Sequence, residues 1–350
     1  MTATHILTYA RDLTGGGVER AMLRLAGGWL AAGRRVTLVI GRAQGPLRAE
    51  LPAGIELVEL GGPLRVVTAA LPREVRARRP DVIFCAGNQY TGIALLTRLR
   101  LGRACPPIVA KMSNAARRGD HGRMVDAGHR VWLRLHGRFL DWLVAMTPAT
   151  ATEAAAATRM AGRTSVIPNP PPVPLGAPPP PLPPGRFVLG VGRLAGQKRW
   201  DRLIAAMPLL PEVEVVILGE GTERAVLGRQ AAALGVAARL HLPGHAADPL
   251  GAMARAAVLA LTSDYEGVPG VLREALSVGT PVVATEASPA VREIVADPSL
   301  GSVVARDDAP GLVTALRYWL GETERPMPVP MPGSDSVAKY LALFDGLVGG

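Results

Sequence analysis

The chain has 350 residues, 48% of them apolar and only 4% aromatic, with a formal charge of +10 at neutral pH. That length allows two domains with separate cores, and no apolar run reaches the ~18 residues a membrane span needs. Two cysteines, Cys85 and Cys105, have neither disulfide-scaffold density nor metal-ligand spacing, and the N-terminus lacks a signal-peptide pattern, so a reduced cytoplasmic setting is expected.

The first half alternates short apolar strands (HILTYA, RVTLVI, IELVEL, DVIFCA, PIVAKM and WLVAMT) with helical patterns. Such alternation predicts parallel, doubly wound α/β sheets. The first strand runs into Gly15, Gly16 and Gly17, followed by a helix to about Ala32. Glycines there let a backbone approach a ligand, or they merely close a strand-to-helix turn. The spacing is not G-x-G-x-x-G, and no acidic residue ends the second strand, so a nicotinamide oxidoreductase is disfavoured. Asn88 and Gln89 follow the fourth strand, and Lys111-Met112-Ser113-Asn114 closes the fifth. Ser113 and Asn114 either hydrogen-bond sugar or acceptor hydroxyls or cap a turn.

Residues 116–146 carry three of the six histidines. His129 and His136 lack an acidic partner at metal-like spacing, and no metal is expected. Trp132, Leu135, Phe139 and Leu140 interleave with arginines, either as the core side of a helix or as a basic face for anionic membrane. The arginines are spread along the chain without a nucleic-acid motif, which excludes nucleic acid and suits anionic lipid or a phosphate-bearing substrate.

Residues 168–185, PNPPPVPLGAPPPPLPPG, read as a stiff linker. They separate a domain at 1–167 from one at 186–325, with a second proline-rich piece and a last helix, about Asp335 to Leu347, within 326–350. The second half again alternates strands (RFVLGVG, VEVVILG, ARLHLPG, AVLALTS, PVVATE and GSVVA) with helices. Arg193 and Lys198 follow its first strand, and two fixed cations before a helix suit a diphosphate. Gly219-Glu220-Gly221 and Leu242-Pro243-Gly244-His245 are turns after the next two strands. Glu266 falls in the loop after VLALTS, and Glu274 falls about two turns into the helix that Pro269 opens. A helix start after a strand attracts phosphate, so the carboxylates should face hydroxyls around it.

The strand–EG–P–helix–GTPVVA pattern, the G-R-L-x-x-x-K loop at Arg193 and Lys198, and Gly16-Gly17-Val18-Glu19-Arg20 together resemble the family-4 (group 1) retaining glycosyltransferases. The match is specific over about 186–320 and general over the first half. It implies a GT-B fold, two Rossmann-like domains facing a cleft, with the C-terminal helix crossing back to the first domain. It implies transfer of a hexosyl or N-acetylhexosaminyl group from a nucleotide-diphosphate sugar to a glycan or lipid-linked acceptor, without a cofactor, in surface glycan synthesis such as lipopolysaccharide or capsule. Glu266, Arg193 and Lys198 would be catalytic, with Gly16, Gly17, Gly219, Gly244, Gly267, Gly270, Val271 and Glu274 also meeting the donor. Asn88, Ser113 and Asn114 would meet the acceptor. Many members carry a histidine in the loop after the fifth strand; here the loop reads Ser113-Asn114. A nucleotide-sugar epimerase and a non-catalytic nucleotide-sugar-binding protein are the alternatives. The positive charge suits work at the inner face of the cytoplasmic membrane.

Overall fold

The computed structural model describes residues 1–14, 16–114, 123–172 and 179–349. The readings made above on Gly15, on 116–122 and on 173–178 of the linker lie outside them. The chain divides into two compact units, Met1–Pro172 with Pro332–Gly350, and Val173–Met331.

The first unit runs β1 (His5–Asp12), α1 (Gly17–Ala31), β2 (Arg35–Arg42), β3 (Glu56–Glu59), α2 (Leu64–Arg78), β4 (Val82–Cys85), α3 (Thr91–Leu101), β5 (Ile108–Lys111), α4 (Arg123–Leu135), β6 (Trp142–Ala145), α5 (Pro148–Thr158) and β7 (Thr164–Val166). The second runs β8 (Phe187–Val191), α6 (Trp200–Ala206), β9 (Glu214–Leu218), α7 (Arg224–Ala233), β10 (Leu240–Gly244), α8 (Leu250–Arg255), β11 (Val258–Leu261), α9 (Gly270–Ser277), β12 (Val282–Thr285), α10 (Pro289–Ile294), β13 (Gly301–Val304) and α11 (Ala309–Gly321). The last helix, α12 (Ser336–Gly349), belongs to the first unit.

The sheets are ordered β3-β2-β1-β4-β5-β6-β7 and β10-β9-β8-β11-β12-β13. Every strand pair is parallel. Strands covered by helices on both faces must be apolar on both, and β4, β11 and β12 are buried at every position. The edge strand β3 is mostly exposed, with Glu56 and Glu59 flanking Leu57 and Val58. The sequence reading missed β7, whose three residues Thr164, Ser165 and Val166 are too short and polar to form an apolar run.

Among the described residues no helix is long and apolar enough to cross a membrane. On α4 and the turn after it, Leu133, Phe139 and Leu140 are buried in the core, and Trp132 and Leu135 pack against it. His136 is buried there too, its ring bonded to Trp132 O at 2.9 Å and Thr91 Oγ1 at 3.1 Å.

One face of the first sheet is finished by α12. Trp29 of α1 meets Phe84 of β4 at 5.2 Å, Tyr340 at 5.9 Å and Phe344 at 5.3 Å between ring centroids, all edge-on. Tilted and edge-on aromatic pairs add to the stabilisation that area burial already gives. Asp345 accepts from Ala3 N at 2.8 Å and pairs with Arg34 at 2.9 Å, and Ser336 Oγ donates to Pro168 O at 2.6 Å.

Candidate functional site

In an open parallel sheet, ligands bind outside the carboxyl ends of the strands where the strand order reverses. In the second unit that point lies between β8 and β11. The loops after these strands are laced together. Asp264 N donates to Gln197 O at 3.0 Å, Gln197 Nε2 to Tyr265 O at 2.7 Å, and Thr262 Oγ1 to Lys198 O at 3.0 Å. This lacing brings Lys198 Nζ to 2.6 Å from Glu266 Oε1, and the same oxygen accepts from Ser263 Oγ at 2.6 Å. The two charged side chains are only 15% and 11% exposed. Little water screens this pair, so each charge depends on the other to offset its desolvation.

Arg193, on the same loop, is exposed, while its carbonyl accepts from Trp200 Nε1 at 2.9 Å. The backbone is therefore fixed, and among the described residues the guanidinium forms no ion pair. Gly267 is buried, its carbonyl accepting from Ser288 Oγ at 2.7 Å. Pro269 has ψ 100 and caps α9 from outside, so the helix begins at Gly270 and Glu274 is its fifth residue. Glu274 is thus about one turn in, not the two expected from sequence. A Cβ built on Gly270 would have Glu274 Oε1 as its neighbour, at 3.8 Å. The Glu274 carboxylate therefore lies near the first residue of its own helix, and Val271, the second, is half-buried.

The turn after β9 packs backbone to backbone on the loop after β8. Gly192 N donates to Leu218 O and Leu194 N to Glu220 O, each at 2.9 Å. A Cβ on Gly219 would lie 1.9 Å from Gly192 O. Gly219 N in turn donates to Gly244 O, at 2.8 Å, where β10 ends. Gly219→Ala is therefore expected to push the loops apart and cost roughly 1–3 kcal/mol, as overpacking does. Urea denaturation checks this; an unchanged midpoint would contradict the close approach.

In the first unit the strand order reverses between β1 and β4. Gly16 and Gly17 stand at the start of α1, and a Cβ on Gly16 would lie 2.6 Å from Glu19 Oε2. Glu19 Oε1 accepts from the Tyr90 hydroxyl at 2.7 Å. Burial, and then the Glu19 carboxylate, push that hydroxyl up, so it stays a donor. After β4 and β5, Asn88 Oδ1 accepts from Ser113 Oγ at 3.0 Å and from Asn114 N at 3.2 Å. A backbone N–H must meet oxygen, so the amide is oriented with its NH2 group left to donate. Asn88, Ser113 and Asn114 thus form one cluster. Beneath them Lys111 is 1% exposed, with Nζ 3.1 Å from Asn169 Oδ1.

Two family models match the chain: "Glycosyltransferase Family 4" over residues 15–172 and "Glycosyl transferases group 1" over residues 180–328. The chain belongs to the group 1 glycosyltransferases, of GT-B fold. It is 33% identical over 129 residues to the lipopolysaccharide core biosynthesis glycosyltransferase LpsE of Rhizobium meliloti, covering 37% of this chain and 38% of that one. It is 32% identical over 136 residues to a diphospho-undecaprenol 4-alpha-N-acetylgalactosaminyltransferase of Campylobacter jejuni, covering 39% and 37%. The match therefore spans less than two fifths of the length of each of these relatives. Among solved structures, Anabaena Alr3699/HepE in complex with UDP-glucose superposes with a TM-score of 0.75 at 21% identity, over 99% of this chain and 98% of that one. At that identity the likeness speaks to the fold.

In this group 1 chain, sequence reasoning placed the ends of the site loops but not their cross-links. Ser263, Gln197 and Asp264 were not singled out, nor was the bond from Tyr90 to Glu19. Only Ser263-Asp264 carried a signal, as the polar pair that ends an apolar run.

Proposed function

We propose that the protein is a retaining glycosyltransferase that moves a hexosyl or N-acetylhexosaminyl group from a nucleotide-diphosphate sugar to a glycan or lipid-linked acceptor in bacterial surface polysaccharide synthesis. The observation that carries this reading is the Lys198–Glu266 pair at 2.6 Å, outside the strand reversal and in front of the helix that holds Glu274. Lys198, Arg193 and the N–H groups of Gly270 and Val271 stabilise the diphosphate as it leaves. Glu274 holds ribose hydroxyls and Glu266 orients the sugar. Gly219 and Gly244 bring backbone close to the nucleotide, Gly267 lies at the sugar, and Gly16 and Gly17 are further donor-binding residues. Asn88, Ser113 and Asn114 receive the acceptor.

In the step proposed, the acceptor oxygen bonds to the anomeric carbon on the face the leaving group departs. The anomeric carbon–phosphate oxygen bond breaks, and the acceptor proton passes to that phosphate oxygen. The protein's cations supply the charge stabilisation, so no metal is required. The relatives' names support a surface-glycan role, and the formal charge of +10 suits the inner face of an anionic membrane.

The test is thermal unfolding with uridine, guanosine and adenosine diphosphates and their sugar conjugates, with and without chelator. One nucleotide class should stabilise the protein by ~2.7 kcal/mol at a hundred times its dissociation constant. Chelator should leave that shift in place, and Glu274→Ala should abolish it. An assay for glycoside against isomerised donor then separates transfer from epimerisation. Failure of every conjugate to bind would reject the reading.

A further inference from the structure

We infer that Asp264 is a positioning residue that sets the Lys198–Glu266 pair. Its backbone joins the loop after β11 to the loop after β8 through Asp264 N to Gln197 O, at 3.0 Å. Its carboxylate then grips two arginines of that loop and the helix behind it. Arg199 Nη1 lies 3.2 Å from both carboxylate oxygens, and Arg202 Nη2 lies 2.7 Å from Oδ1. A third arginine, Arg306, donates to Asp264 O at 3.1 Å.

Two consequences follow from chain connectivity. Arg199 is the residue after Lys198, and Asp264 lies two before Glu266, so this cross-link runs beside the functional pair and fixes the spacing of its two ends. Arg199 also has φ 49, a left-handed backbone that is strained for a non-glycine residue. The grip of Asp264 and Asp201, the latter 2.9 Å from Arg199 Nε, holds that conformation. Asp264 thus ties Arg199 and Arg202, both within four positions of Lys198, to the loop that carries Glu266.

The effect on turnover rests on the transferase reading above; the effect on the pair does not. The pair can be read directly, because the chain contains only three lysines, Lys111, Lys198 and Lys339. In protein labelled with ¹⁵N-lysine, at low temperature and mildly acidic pH, Lys198 should give a protected ammonium resonance. Lys198→Arg assigns it by removing it. Asp264→Asn keeps the shape and the backbone bonds but loses the charge, and should shift and broaden the resonance. Arg199→Gly, whose glycine suits the left-handed backbone, should do the same and serves if Asp264→Asn folds poorly. An unchanged resonance in both variants, or none in the parent protein, would overturn the inference.

In transfer assays Asp264→Asn should lower kcat about tenfold, a modest loss beside the hundredfold or more expected of a direct charge-stabilising group. Donor KM should stay within about threefold, as expected when ground-state binding is intact. In a Lys198→Ala background the same substitution should cost less than about twofold, because coupled groups are not additive. An equal loss in both backgrounds would mean that Asp264 acts elsewhere. A parent protein that binds no nucleotide sugar would reject the transferase reading and leave the resonance to decide the role of Asp264.

Discussion

Lys198→Ala is expected to lower sugar transfer by about a hundredfold, the scale on which one preorganised charge-stabilising donor acts. The ammonium is held at 2.6 Å from Glu266 by a loop that is itself cross-linked, so in the proposed reaction it is already in place as charge develops on the leaving phosphate. The substitution also has a structural cost. The Glu266 side chain is 11% exposed and, among the described residues, would keep only the Ser263 hydroxyl as a partner. Stranding one member of a buried pair costs about 3–5 kcal/mol. The two effects separate in the double variant Lys198→Ala/Glu266→Gln, which should recover most of the stability and none of the turnover. Urea denaturation and single-turnover transfer measure the two. A fully active Lys198→Ala protein would remove Lys198 from the diphosphate.

The second large effect concerns Lys111, which makes no direct contact in the proposed reaction. Burial pushes its ammonium down to about 8, against smaller upward pulls from Glu19 and Cys85. Asn169 Oδ1, at 3.1 Å, is a neutral partner and cannot balance the charge. An unfolded lysine titrates near ~10.4. Below pH 8 both states carry the proton and the folded state bears the whole cost of burying it. Between about 8 and 10.4 the unfolded state alone keeps the proton, so this cost fades and stability rises with pH. The displacement corresponds to about 3 kcal/mol at ~1.4 kcal/mol per pH unit.

Lys111→Met should therefore be the more stable protein at pH 7 by up to about 3 kcal/mol, and its advantage should shrink as pH passes from 8 toward 10. The difference between the two proteins is the quantity to follow. The Cys85 and Cys105 thiols, pushed up to about 11 by burial, lower the stability of both above about pH 9. Urea midpoints at pH 7, 8, 9 and 10 test this. A constant difference across that range would mean that Lys111 folds uncharged or finds a compensating anion.

Much of this architecture can be read from the sequence, because parallel strands covered on both faces appear as short apolar runs. VLAL at 258–261 and VVAT at 282–285 are legible for that reason, and both are wholly buried. Thr164–Val166 is not, since an edge strand of three residues needs no apolar run. The start of α9 was harder to place: Pro269 suits a first helical position equally well, and only its extended backbone puts it outside. Glu266 and Glu274 are local to one strand–loop–helix unit, so their spacing carries information. The bond between Lys198 and Glu266 spans 68 residues, and that between Arg199 and Asp264 spans 65. Side-chain periodicity reports neighbours one turn or one strand step away, and no such rule reaches across two loops. Nothing in the sequence sets Lys111 apart from other cations; its burial follows from β5 lying inside the sheet.

The aromatic face made by Trp29 and Phe84 is closed by Tyr340 and Phe344, which the ribosome delivers only after the whole of 173–331. Residues up to 172 and the entire 173–331 unit are made before α12 exists. At 5–20 residues per second, the wait between the end of the first stretch and α12 is on the order of 10–30 s. During synthesis the second unit can therefore finish folding before the first, although it is translated later. The nascent first unit, with Trp29 uncovered, is the species that a holding chaperone would meet.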